Sequence, residues 1–169
     1  MEISNIESFL AYYESVRKRT IRAIESIPPD RIDWTPKEGF FTFGDAIRHI
    51  AAIERYMFAE NACGKWSRYP GYGRELADGY EAVVKFFNTA HKETVEMLRP
   101  LTPEDLQRDC VTPAGTKLAT WKWLRAMVEH EIHHRGQMYL MLNLCGAERP
   151  RLYGLTAEEV LERSAGTRE

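Results

Sequence analysis

Apolar residues recur every three and four positions along most of the chain, the spacing of a single helix face. Near the N-terminus Ile6, Phe9, Leu10, Tyr13, Val16, Ile21, Ile24 and Ile27 share one stripe, which predicts a first helix over Ser4 to Ile27. Ser4 and Glu7 have the spacing of a capping box at its start, and Pro28 and Pro29 stop it. A second helix is predicted from Thr42, with Asp45 as its box partner, through GDAIRHIAAIERYMF to Ala62, where Gly64 ends it. A third runs from Asp78, with Glu81 at the box position, to Leu98 just ahead of Pro100. A fourth runs from Thr120 to Cys145 and is followed by Gly146, and a short fifth follows Thr156. The segment CVTPAGTKL has the turn residues of a small hairpin.

Four amphipathic helices of about 20 residues each predict an all-α fold, an antiparallel four-helix bundle with long connections and a short C-terminal helix. No repeat or low-complexity linker divides the chain, so residues 1–169 are expected to form one domain. The spans 28–41, 63–77 and 99–119 are longer than tight hairpins need, and loops of that length often cover a site. Spacing alone does not fix the order of the helices around the bundle.

Composition narrows the partners. A length of 169 residues with 44% apolar content is enough to bury a core. Charged residues make up 28% of the chain but nearly cancel, leaving a net charge of −2. A dedicated nucleic-acid binder needs a basic excess to engage phosphates, so that class is set aside. No apolar run is long enough to span a bilayer, and MEISNIESFL lacks the basic start and apolar block of a signal peptide. Cys63, Cys110 and Cys145 are few, odd in number and far apart, as expected of a reduced, cytoplasmic setting.

The chemistry is concentrated in VEHEIHHRGQ, which holds His130, Glu131, His133 and His134 within five positions. At about 100° per residue, His134 falls about 40° from His130 and one turn further on. Trp123, Met127, Met138 and Met141 share that face, which makes it the buried one. Two imidazoles a turn apart on one face can reach a common metal ion, whereas Glu131 and His133 lie at the margins. A two-ligand site is weak. His49 sits in the apolar stripe Ala46, His49, Ile53, Tyr56, Met57 of the second helix and can supply the third ligand. By itself His49 reads as a core histidine. With the other two it completes a facial site with open positions, the catalytic pattern rather than the closed structural one. Imidazole ligands suit zinc or nickel first, with iron, manganese or copper as alternatives.

The remaining polar groups have plainer readings. His91 lies on the stripe of Val84, Phe87, Thr94 and Leu98 and reads as a satisfied core histidine. His133 reads as a residue at a packing boundary. Glu131 and Gln137 are weak candidates for a catalytic role, Gln137 because it points within about 20° of His130. Gly136 is a place for close helix approach, and Trp66, Arg68, Tyr69 and Arg74 either line a pocket mouth or, on the plainer reading, belong to a solvated loop. His130 to His134 also satisfies H-E-x-x-H, the zinc-peptidase signature with glutamate as general base. The long metzincin form needs glycine and histidine where this chain has Gln137 and Leu140, and no strand pattern supplies a substrate-aligning edge, so a peptidase is a distant alternative.

Two stretches carry a family resemblance. IPPDRIDWTPKEGFFTFGDAIRHIAAIERY and LRAMVEHEIHHRGQMYLMLNLCG resemble the DinB/YfiT-like superfamily of metal-dependent proteins, the second through its H-x-x-x-H-R-G-Q helix. The resemblance implies a four-helix bundle, a homodimer, and His49, His130 and His134 as metal ligands. It also implies a thiol-dependent S-transferase, or a related hydrolase or isomerase, acting on a small molecule with a low-molecular-weight thiol. The alternative is a non-catalytic metal-binding stress-response bundle.

Overall fold

Residues 2–165 are described by a computed structural model. Helix α1 (Ile6–Glu25) is capped by Asn5, whose extended backbone lets its side-chain oxygen accept the Ser8 N–H at 2.8 Å. The cap expected from Ser4 is thus one residue late, because Asn5 already satisfies the exposed amide. A 3₁₀ turn (Pro29–Arg31) follows. Helix α2 (Phe43–Ile53) opens with the expected box: Thr42 Oγ1 accepts the Asp45 N–H and Asp45 Oδ2 accepts the Thr42 N–H, each at 3.0 Å.

The second helix does not continue regularly. It passes through a π turn (Glu54–Phe58) into α3 (Ala59–Ala62) and ends at Gly64, whose φ of +74° suits only glycine well. The wider turn advances the buried face. Tyr56 and Met57, expected in the core stripe, are half-buried, whereas Glu54 and every residue from Phe58 to Ala62 are buried.

Helix α4 (Tyr80–Leu98) starts without the expected Asp78–Glu81 box. Gly79 occupies the cap at φ +78° and has no side chain to offer, while Asp78 lies 3.9 Å from Arg74. A short helix α5 (Pro103–Gln107), absent from the sequence reading, is held by a box between Thr102 and Asp105. The predicted hairpin forms from β1 (Asp109–Val111) and β2 (Lys117–Ala119), antiparallel, with Cys110 opposite Leu118. Helix α6 (Thr120–Leu144) ends before Gly146, and α7 (Ala157–Ala165) has no buried residue. No helix among the described residues is long and apolar enough to cross a membrane.

The four long helices close a ring in which α1 lies beside α6, α6 beside α2, α2 beside α4 and α4 beside α1. Two apolar clusters fix their directions. One joins Phe9 and Leu10 of α1, Phe58 and Ala62 after α2, Leu98 of α4 and Leu124 and Met127 of α6. The other joins Ile24, Ile47, Val83 and Met138. α1 and α6 therefore run one way, and α2 and α4 the other. Because α2 and α4 are parallel neighbours, the chain between Gly64 and Gly79 must travel back along the bundle before α4 can begin.

Between the clusters lies a polar waist. Arg17, only 1% exposed, reaches Glu54 at 3.4 Å, donates to Phe87 O at 2.8 Å and stacks 3.7 Å from the Phe87 ring centre. Glu54 also meets His91 Nδ1 at 2.8 Å, and His91 Nε2 meets Glu14 at 3.1 Å. Thr20 donates to Glu131, and Arg135 donates to Val16 O at 3.0 Å. Burial, then the neighbouring Glu54 carboxylate, push Glu131 above the usual carboxylate range.

Arg17→Met strips Glu54 of its cation inside the bundle and is expected to destabilise the fold by about 3–5 kcal/mol in urea denaturation; adding Glu54→Gln should recover part of that loss. For Glu131 the folded state holds its proton more tightly than the unfolded chain does. Its contribution is present at low pH and is lost as pH rises through the raised value. Glu131→Gln removes that loss, so the variant should gain stability over the parent between pH 5 and pH 8, checked by melting temperature at each pH.

Candidate metal centre

His49, His130 and His134 come together in the groove between α2 and α6, level with the polar waist. One potential ligand atom from each lies within 4.8 Å of the others. His49 Nε2 and His130 Nε2 are 3.1 Å apart, and the ring centres of His130 and His134 are separated by 4.5 Å. The i, i+4 spacing on α6 aligns two of the rings, and the register of α2 brings the third across from them.

Each ring is oriented by its surroundings. Gln137 Oε1 lies 2.7 Å from His134 Nδ1 and accepts its proton, which leaves Nε2 as the free nitrogen. The Gln137 amide nitrogen in turn donates to His133 Nε2 at 3.1 Å. The Tyr69 hydroxyl sits 2.8 Å from His49 Nδ1 and fixes that ring from behind. Phe41 packs against both His49 and His134, with ring centres 5.3 and 6.2 Å away, and Tyr72 packs on Phe41 at 4.5 Å.

Tyr69 and Tyr72 arrive on the returning segment after Gly64. That segment is tied along α2: Arg68 N–H donates to Tyr56 O at 2.8 Å, and Arg48 donates to Tyr72 O at 2.7 Å and Ala77 O at 2.9 Å. Arg48 is itself buried and paired with Asp45, so one cation anchors the loop that covers the histidines. The solvated loop of the sequence reading is corrected here. Trp66 is exposed and Arg68 and Arg74 pair with Glu60 and Asp33, but Tyr69 reaches inward.

Burial lowers the pKa of His49 to about 4, with His134 adding repulsion, and that of His130 to about 3, with His134 and then His49 adding to it. His134 is lowered as well, again first by burial. At neutral pH all three rings are uncharged and offer lone pairs, the form a metal ion needs. The spacing also fits. Two nitrogens bound at about 2.1 Å to one ion stand about 3.0 Å apart at a right angle and about 3.4 Å apart at the tetrahedral angle. The observed 3.1 Å falls between them.

The other candidates fall elsewhere. Glu131 is fully buried on the α1 side of its helix and bonded to Thr20, because one residue beyond His130 the helix faces a different neighbour. It therefore cannot serve as the base that the H-E-x-x-H reading requires. His91 is satisfied between Glu14 and Glu54, as a core histidine. His133 is exposed rather than at a packing boundary. A side chain at Gly136 would meet nothing within 4 Å, so no close helix approach depends on that glycine. Gln137 stands at the cluster, as a partner of two histidines. Phe41 and Tyr72 escape sequence reasoning, their only signal being the aromatic content of two long loops; Tyr69 fits the pocket-mouth reading of its loop.

Known proteins share this fold. YjoA of Bacillus subtilis is 26% identical over 139 residues, covering 81% of this chain and 88% of that protein. The crystal structure of a DinB-like protein from Bacillus cereus superposes with a TM-score of 0.74 at 20% identity, covering 89% of this chain and 99% of that one. A variant of mycothiol-dependent maleylpyruvate isomerase superposes with a TM-score of 0.65 at 13% identity, covering 94% of this chain and 67% of that one. The profile of the DinB superfamily matches residues 12–138, which takes in most of α1, all of α2 and α4 and all three clustered histidines, and the chain belongs to that superfamily.

Proposed function

We propose that the chain is a divalent-metal-dependent enzyme whose ion is held by His49, His130 and His134, and that it carries out thiol-dependent S-transfer on a small molecule. The observation that supports this reading best is the meeting of three neutral imidazoles, with Nε2 atoms of two at 3.1 Å and two rings braced through Nδ1. Zinc or nickel suits this donor set first, with iron, manganese or copper as alternatives. An ion with an open coordination position lowers the pKa of a thiol or water placed there.

The chain's own residues supply the rest. Gln137 and Tyr69 hold the two rings in one tautomer and orientation, as outer partners of metal-binding histidines do. Phe41 and Tyr72 exclude water from the loop side of the cluster. Three histidines leave room for exogenous ligands, in keeping with catalysis rather than a closed structural site. The fold shared with a mycothiol-dependent isomerase makes a thiol the first cosubstrate to try.

Titration of metal-stripped protein with Zn²⁺ and Ni²⁺ should show one ion bound per chain. His49→Ala and His130→Ala should each abolish that site, and Gln137→Leu should weaken it about 10- to 100-fold. Undiminished binding by His49→Ala would remove the three-histidine site.

Metal-loaded protein mixed with low-molecular-weight thiols and a model electrophile should form a thioether faster than the His130→Ala variant does. Stoichiometric metal binding, a melting temperature lowered by chelator and no such rate across the thiols would instead favour a non-catalytic metal-binding bundle.

A further inference from the structure

A groove of about 660 Å³ opens beside the histidines, and His134 and Gln137 form its inner end. Its size is that of a pocket for one small organic molecule. Leu140, Met141 and Leu144 line one side from the last turns of α6, and Phe40 and Phe41 line the other from the loop before α2. Phe40 is 63% exposed, and Leu140 and Leu144 are 58% exposed. Three large apolar side chains left open to water around one groove contribute nothing to the core. Exposed apolar clusters of this kind mark binding surfaces.

The loop wall is pre-formed. Phe40 N–H donates to Lys37 O at 3.1 Å, closing a turn that Gly39 passes through at φ +84°. Thr35 Oγ1 lies 2.9 Å from Lys37 O and 3.2 Å from Phe40 O, which locks the same turn from beneath. The turn thereby presents Phe40 and Lys37 together. Among the described residues, Lys37 is the one lysine or arginine that lines the groove, and no acidic residue lines it with Lys37.

We propose that this groove seats the electrophilic substrate, an organic molecule with an apolar body and an anionic end. The body lies between Phe40 and Leu140, the anionic end meets Lys37, and the reactive carbon is delivered to the inner end at His134. This deepens the S-transferase reading and rests on it for the word substrate, but the binding itself needs neither metal nor turnover. Continuity with the cluster argues for a small molecule over a second copy of the chain, because an occupant of the groove touches His134 directly.

The probe is octanoate, compared with butanoate and with octanol, added to the metal-stripped protein and followed by calorimetry. Octanoate should bind at least tenfold more tightly than butanoate. Leu140→Glu should weaken octanoate at least tenfold, and Lys37→Glu should weaken octanoate severalfold while changing octanol little. Both positions are exposed, and an unchanged melting temperature verifies that the variants fold. Tyr12→Ser, in the separate groove between α1 and α6, should leave octanoate binding unchanged. Equal binding of octanoate and butanoate, indifference to Leu140→Glu, or loss in Tyr12→Ser would overturn the assignment. So would sedimentation showing a dimer that Leu140→Glu dissolves, which would make the groove an interface between copies. Failure in any of these ways leaves the metal titration standing, and failure of the metal titration leaves octanoate binding intact.

Discussion

A guanidinium buried between four helices sets the terms for the rest of the molecule. The Arg17 guanidinium has almost no contact with water, so its donors must be answered within the bundle. Glu54, the Phe87 carbonyl and the Phe87 ring answer it, each from a helix other than α1. An apolar pair of similar volume could contribute as much stability. What the ion pair adds is register, because a helix that slid or turned by one residue would leave a buried charge alone. His91, Thr20, Glu131 and Arg135 extend the same constraint around the ring of helices.

That constraint places the histidines. α2 carries His49 and runs straight into the π turn that carries Glu54, and α6 carries both Glu131 and His130. Fixing the two helices at their polar waist therefore fixes the groove in which the imidazoles meet. The cluster is unfavourable for protons, as the lowered pKa values of its rings show, and is covered from the loop side by Phe41 and Tyr69. Rigid helices supply the nitrogens, and loops supply the aromatic cover and the groove. This division matches the general finding that precise sites sit on regular elements and variable recognition on loops.

Much of this was legible in the sequence, for reasons that can be named. Helices with a three- and four-residue apolar period declare themselves, and so does the Thr42–Asp45 box, since all its atoms lie within one turn. The pairing of His130 with His134 follows from helix geometry alone, and the choice of His49 from its place in an apolar stripe. What stayed hidden was nonlocal. An angle on a helical wheel shows that Glu131 leaves the histidine face, but not that Thr20 waits there. The parallel course of α2 and α4, and hence the path of the loop that brings Tyr69 to His49, depends on which helices become neighbours. Asn5 and Gly79 displaced the expected caps through backbone angles that no spacing rule encodes.

The π turn at Glu54–Phe58 has a further meaning. A π turn accommodates one residue more than an α-turn, so it acts as a phase shifter within a single rod. Upstream of it the helix is indexed to the imidazole trio; downstream it is indexed to Phe58, Ala59 and Ala62 in the far apolar cluster. The two halves can thus satisfy incompatible angular demands without a break in the chain. Excising a single residue there would heal the hydrogen-bond ladder and rotate one half by about 100° against the other. The irregularity is the gear that lets a structural half and a chemical half share one axle.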